Sequence, residues 1–197
     1  RLQTTPDRVV KLTLDQRAGL RVPATFDVRI EYRGTVGAGW RTMADQGSEE
    51  MRKNAIATAV SEVIGDAQVI ERAVTYDAET GLAVLTARGI MSSVWTRDGT
   101  DYRFEPPAQA ARNVGFEADR ARSAWRAIPL QLNGPVYFVS TAEVLLPDEA
   151  GSVKFEGSAA PLSATIGGVE LASTAQLEGR KLTIEQKMRT LKEELPA

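Results

Sequence analysis

The chain of 197 residues carries 24 basic and 26 acidic side chains, and it contains neither cysteine nor histidine. The missing thiol and imidazole groups exclude disulfides, thiolate metal sites and nucleophiles activated by histidine. The near-neutral charge argues against a nucleic-acid-binding protein or a polybasic membrane-surface protein, and no apolar run reaches the ~18 residues of a membrane-spanning helix.

The chain begins with two predicted strands. Residues 9–14 place apolar side chains on one face, and residues 26–33 alternate apolar and charged side chains regularly, so each strand has one buried face. Three glycines in residues 34–39 predict a turn. Because residues 40–43 continue with Trp, Arg, Thr and Met, they predict the returning strand of a hairpin.

The pattern then changes to a helical period. Ser48 or Gly47 can cap a helix whose first turn carries two glutamates, where the helix dipole favours acidic side chains. Gly65 supplies a left-handed end, which predicts one helix of about 16 residues. We expect the apolar stripe of this helix to cover the apolar face of strand 26–33. The stripe includes Ile56, Val60 and Ile64.

Two hairpins are predicted after the helix. Residues 69–76 and 82–90 are strand candidates joined by a turn-rich loop, and residues 94–96 and 102–104 flank an Arg-Asp-Gly-Thr turn. Residues 1–107 therefore predict an α+β unit in which one amphipathic helix packs on an antiparallel sheet.

A change of composition at Pro106-Pro107 marks a predicted boundary. The Ala- and Arg-rich residues 108–125 are expected to form a linker or a short helix. Residues 126–197 predict an all-β module, a small β-sandwich or an open antiparallel sheet, because strand candidates alternate with turn signals. The candidates are residues 128–132, 136–146, 152–156, 169–177 and 182–191.

Three stretches carry a family resemblance. Residues 25–34 form a strand-like segment ending in Tyr-Arg-Gly, residues 116–129 form an Arg-rich approach to a proline, and residues 166–185 form a hairpin-like segment. In these stretches the chain resembles the β-rich C-terminal region of bacterial multidomain transglutaminase-like proteins, which also carry an N-terminal domain of unknown function. The family's catalytic Cys, His and Asp lie in a separate core domain, so the resemblance transfers no catalytic residue.

The resemblance implies a non-catalytic accessory region of an exported bacterial protein, in the periplasm or outside the cell. Its partners would be the neighbouring domains of the same parent chain. Because the first residue is Arg rather than Met, we expect either a processed mature form or a piece of a longer protein.

Four aromatic residues are candidates for a ligand-binding surface: Trp40, Trp95, Tyr102 and Trp125. Such rings combine apolar area with a polar edge, as sugar and peptide sites require. The alternative is packing in the core and in hairpins, which the small number of aromatic residues favours.

Acidic residues offer two further candidates. Asp98, Asp101 and Glu105 crowd one turn and could hold calcium, although an Asp-Gly hairpin turn explains Asp98 without an ion. Asp27 and Glu31 lie on one strand face and could serve a glycosidase, but the arginines beside them favour a surface ion-pair ladder. We expect no metal site, no cofactor and no catalytic residue.

Three functions follow from these features. The first is a non-catalytic accessory or interaction module of an exported transglutaminase-like protein. The second is a carbohydrate- or peptide-binding β module with an aromatic-lined groove. The third is a carboxylate-dependent hydrolase. We expect protein or carbohydrate partners, no nucleic acid and no membrane insertion.

Overall fold

The computed structural model describes residues 3–104, 130–131, 136–147, 160–192 and 194–195. They form an eight-stranded sheet, two helices and two two-stranded sheets. The first half contains β1 (Arg8–Asp15), β2 (Ala24–Tyr32), α1 (Gly34–Gln46), α2 (Glu49–Ile64), β3 (Ala67–Asp77), β4 (Leu82–Met91), β5 (Trp95–Asp98) and β6 (Asp101–Phe104). The second half contains β7 (Leu130–Gln131), β8 (Tyr137–Leu145), β9 (Leu162–Ile166), β10 (Val169–Glu178), β11 (Lys181–Thr190) and β12 (Glu194–Leu195).

The large sheet has the strand order β3-β4-β2-β1-β8-β11-β10-β9. β1 and β8 run parallel, from the pair Arg8 and Phe138 to the pair Asp15 and Leu145. The other neighbouring strands of this sheet are antiparallel. The described residues therefore confirm a mainly antiparallel α+β protein, in which one parallel contact joins the two halves of the sheet.

Strands from both sides of the predicted boundary share this sheet. The segment 108–125, predicted as a linker or short helix, lies outside the described residues, and so does the strand candidate 152–156. β8 to β11 extend the sheet that β1 to β4 begin, so a separate sandwich or open sheet after residue 126 is not confirmed. β9, at the edge of the sheet, is not among the strands that the sequence pattern predicts.

One face of the sheet forms the core. The alternation predicted for β2 is confirmed, because its apolar residues from Phe26 to Tyr32 are buried, as are the in-phase residues from Val10 to Leu14 on β1. Ile56, Val60 and Val63 of α2 belong to the same buried cluster, and Ile64 packs against it. The helix stripe and the strand face thus share one core, as the two periodicities predict.

The ends of α2 follow the capping rules. The Ser48 hydroxyl accepts a hydrogen bond from the Met51 amide at 3.1 Å, and two glutamates occupy the first turn. Gly65 has φ of +79°, which a glycine adopts without the strain that a β-carbon would cause. The predicted helix and its limits are confirmed.

The expected turn and returning strand over residues 34–43 are wrong, because α1 occupies Gly34–Gln46. Gly34 has φ of +64° at the start of this helix, directly after β2. A β-carbon on Gly37 would lie 2.8 Å from the Tyr32 carbonyl oxygen, so this glycine lets the helix approach the strand end. Tertiary packing therefore overrides the weak helix propensity of a glycine-rich segment.

Candidate functional site

A groove of about 620 Å³ lies where α1 and α2 meet the end of β2 and the start of β1. Its lining includes Arg8, Tyr32, Trp40 and Glu62, and we name it the Arg8 groove. Arg8 begins β1, Tyr32 ends β2, and the helices supply the other two residues. The groove therefore depends on α1, a helix that the sequence pattern does not predict.

Arg8 occupies a core-facing position of the sheet. It is in phase with Val10, Leu12 and Leu14, whose side chains are buried. Its partner on β2 is Tyr32, and its partner on the other side is Phe138 of β8. At this point of the sheet, the charged Arg8 therefore lies between two aromatic residues on the neighbouring strands. The alternation of β1 could have revealed this position from the sequence.

The Arg8 guanidinium lies between two aromatic rings. Its central carbon is 5.5 Å from the Tyr32 ring centroid and 5.7 Å from the Phe138 ring centroid, within the range of cation–π attraction. Nη2 is 3.6 Å from Oε2 of Glu62, and the Arg8 side chain is only 20% exposed whereas that of Glu62 is 58% exposed. Among the described residues, Nε and Nη2 have no hydrogen-bond partner although both are shielded from solvent.

Tyr32 and Trp40 form an aromatic pair in the groove. Their ring centroids are 5.8 Å apart and the planes differ by 18°, which is a stacked arrangement. Burial raises the pKa of the Tyr32 phenol, the charge of Arg8 lowers it, and that of Glu62 raises it. The hydroxyl therefore stays protonated at neutral pH, and the pair offers uncharged apolar area.

The other charged residues of the groove, Asp7 and Arg33, already have hydrogen-bond partners. Oδ2 of Asp7 accepts a hydrogen bond from the Tyr137 amide at 3.0 Å. Arg33 donates to Glu31 at 3.3 Å and to the carbonyl oxygen of Pro6 at 3.5 Å. Arg8 and Glu62 differ from them, since the contact between these two is an ion pair longer than a hydrogen bond.

The four predicted aromatic residues do not form one surface in the described part of the chain. Trp40 lies in the Arg8 groove, at the end of β2. Trp95 packs on Phe104 with centroids 5.4 Å apart, and Tyr102 accepts a hydrogen bond from Nε of Arg21 at 2.6 Å, on the β5–β6 hairpin. Arg21 precedes the start of β2, at the opposite end from Trp40. Trp125 lies outside the described residues, so its part in a binding surface stays a prediction.

The predicted carboxylate pair forms an ion-pair ladder. Asp27 pairs with Arg88 at 2.5 Å, and Glu31 pairs with Arg29 at 3.1 Å and Arg33 at 3.3 Å. Glu31 thus pairs with the neighbouring arginines as expected, whereas Asp27 pairs with an arginine of β4. Asp98 pairs with Arg103 at 2.8 Å, whereas Glu105, which completes the predicted calcium cluster, lies outside the described residues.

Comparison with known proteins adds no assignment. No family model matches the chain, and no curated protein or solved structure matches it. In the part of the chain that the structure describes, no helix is both long and apolar enough to span a membrane. The candidate site is therefore the groove, which brings together the partly exposed Trp40 ring and the shielded guanidinium of Arg8.

Proposed function

We propose that this chain is a non-catalytic interaction module and that a peptide or carbohydrate ligand binds in the Arg8 groove. The observation that carries the proposal is Arg8, a charged residue on the core face that lines the groove and has two shielded nitrogens without hydrogen-bond partners among the described residues. Burying a charge without hydrogen bonds costs free energy, so such a group at a cavity indicates a role in binding.

The aromatic pair supports a binding role. Ligand sites are mostly apolar and carry a few polar groups that orient the ligand. Trp40 stacked on Tyr32 supplies the apolar area, and Arg8 with Glu62 supplies the polar groups. The groove is large enough for a short peptide segment or one to two sugar rings, by the size of common ligand pockets.

We also propose the parent of this module, an exported bacterial transglutaminase-like protein whose neighbouring domains it contacts in the periplasm or outside the cell. The support is the resemblance of residues 25–34, 116–129 and 166–185. The first stretch is a strand in the structure, since it covers most of β2 and ends at Gly34, the first residue of α1. The reading frame upstream of Arg1 tests this proposal. A Cys- and His-bearing domain supports it, and a start codon followed by a signal sequence contradicts it.

The binding proposal is tested by ligand titration followed through the tryptophan indole resonances. Short peptides and oligosaccharides are added to the full chain, and Trp40→Ala is compared with the control Trp95→Ala. We expect the Trp40 resonance to shift and its removal to weaken binding about three- to tenfold, the range for aromatic contacts. Equal loss in both variants, or no shift at Trp40 with any ligand, would contradict the proposal.

A further inference from the structure

The two unbonded nitrogens of Arg8 form one edge of its guanidinium. The N–H bonds of Nε and Nη2 point in nearly the same direction, and this edge binds the two oxygens of a carboxylate in parallel. Among the described residues, no acceptor bonds to either nitrogen. The edge of Arg8 that is suited to a carboxylate is therefore the edge that lacks a hydrogen-bond partner, and Nη2 has only the long ion pair to Glu62.

Glu62 is the acid next to this edge, and it is held weakly. Its Oε2 atom lies 3.6 Å from Nη2, beyond hydrogen-bond distance, and more than half of its side chain is exposed. An ion pair of this kind contributes little to stability, because the exposed partner regains water when it leaves. Another carboxylate can thus displace Glu62 at a small cost in free energy.

From this geometry we infer that the Arg8 groove recognises a carboxylate-bearing ligand, whose carboxylate replaces Glu62 on the Nε–Nη2 edge while its body rests against Trp40. The inference rests on the proposed binding function and names its ligand chemistry. Asp7 and Glu62 both disfavour an anion in the groove. Asp7, however, stays hydrogen-bonded to the Tyr137 amide, and Glu62 is displaced.

Two matched pairs of probes separate the charge from the body of the ligand. N-acetylphenylalanine is compared with its C-terminal amide, and methyl glucuronoside with methyl glucoside. The readout is the Nε–H resonance of Arg8, assigned by its loss in Arg8→Lys. We expect the acid to bind about tenfold tighter than its neutral partner in one pair, as charge-assisted hydrogen bonds require. The pair that shows the preference identifies a peptide terminus or a sugar acid as the source.

Substitutions of Arg8 and of Glu62 should change the affinity for the acid probe in opposite directions. Arg8→Met should abolish the preference for the acid, and Arg8→Lys should weaken it because a lysine lacks the planar fork. Glu62→Gln should tighten acid binding roughly two- to fivefold, since it removes the competing charge. Arg29→Met, on the opposite face of β2, is the control and should change nothing. Arg8→Lys also covers the case in which Arg8→Met does not fold.

Three results would overturn the inference: equal affinity for acid and neutral probe in both pairs, an unchanged preference in Arg8→Lys, or weaker acid binding in Glu62→Gln. The last would show that Glu62 is a fixed structural partner of Arg8. Neutral probes that shift the Trp40 indole as strongly as the acids would leave the binding function standing without the carboxylate. The binding function itself fails if no ligand shifts the Trp40 resonance, or if Trp40→Ala and Trp95→Ala weaken binding equally.

Discussion

Gly89 of β4 lies directly against the backbone of Gln68 on β3. A β-carbon at position 89 would overlap the Gln68 carbonyl oxygen and lie 2.8 Å from the ring of Phe26. The close approach occurs at a bulge, where the register between the two strands shifts between Val69 and Glu71 and the side chain of Ile70 is 58% exposed. The bulge thus depends on a residue without a side chain.

The first prediction is that Gly89→Ala destabilises the protein by about 3 kcal/mol, the upper range for an overpacked core site. The added methyl group would meet backbone on one side and Phe26 on the other, so a side-chain movement cannot relieve it. The free energy of unfolding from urea titration measures the effect. A loss below about 0.5 kcal/mol, typical of surface substitutions, would show that the bulge can shift to accept a β-carbon.

The second prediction compares two glycines of α1. A β-carbon on Gly37 would lie 2.8 Å from the Tyr32 carbonyl oxygen and 3.0 Å from that of Gly81, whereas one on Gly39 would meet nothing within 4 Å. We expect Gly37→Ala to cost roughly 1–3 kcal/mol, because two backbone groups must move. Gly39→Ala should instead stabilise by about 0.5–1 kcal/mol, because it reduces the entropy of the unfolded chain. Equal effects would indicate that α1 does not pack on the end of β2.

The third prediction tests the core shared by β2 and α2. Val28 and Ile56 are almost fully buried in one cluster, so Val28→Ala and Ile56→Ala should each cost on the order of 1–4 kcal/mol. Val36→Ala in α1 is the control, because the Val36 side chain is 52% exposed and its loss should stay within about 0.5 kcal/mol. Unchanged urea midpoints for both core variants would show that the apolar face of β2 and the apolar stripe of α2 do not face each other.

The sequence pattern predicts the elements whose stabilising contacts lie between residues close together in the chain. The alternation of β2 and the Ser48 cap of α2 are signals carried by neighbouring residues, and the structure confirms both. The glycines of α1 predict a turn rather than a helix, because nothing local shows that Gly37 packs against the backbone of Tyr32 and of the distant Gly81. The parallel pairing of β1 with β8 joins residues about 130 positions apart, so no local periodicity of the sequence indicates it.

The candidate site was harder to predict than the fold. Trp40 was selected as an aromatic residue, but its neighbours in the groove come from β1, β2 and α2. Arg8 was overlooked because a charged residue at a core-facing position contradicts the pattern that identifies the strand. A departure from an otherwise regular alternation is itself a signal, since local rules fail most often at functional positions.

The fourth prediction concerns Tyr32 and alkaline pH. Burial raises the pKa of this phenol above its ordinary value of 10, so the folded protein keeps the proton more tightly than the unfolded chain. The resulting stability is fully present below about pH 10 and is lost as the pH rises through the folded-state pKa. Urea midpoints should fall more steeply at high pH in the native protein than in Tyr32→Phe, which keeps the ring on Trp40. Parallel pH curves for the two proteins would contradict the assigned burial.

The fifth prediction asks whether the two halves of the sheet unfold together. β1 pairs along its whole length with residues 138–145 of β8, and Val144 of β8 is fully buried in the cluster that also contains Leu14. We expect Val144→Ala to cost roughly 1–3 kcal/mol and to lower the unfolding midpoint of both halves equally, because they share one core.

Trp40 reports on the N-terminal half when Trp95 and Trp125 are changed to Phe, and far-ultraviolet circular dichroism reports on the whole chain. Coincident transitions would show one cooperative unit. A Trp40 transition whose midpoint is unchanged by Val144→Ala would mean that the two halves fold independently, as the composition change at Pro106-Pro107 suggests. The β1–β8 contact would then add little to the stability of either half.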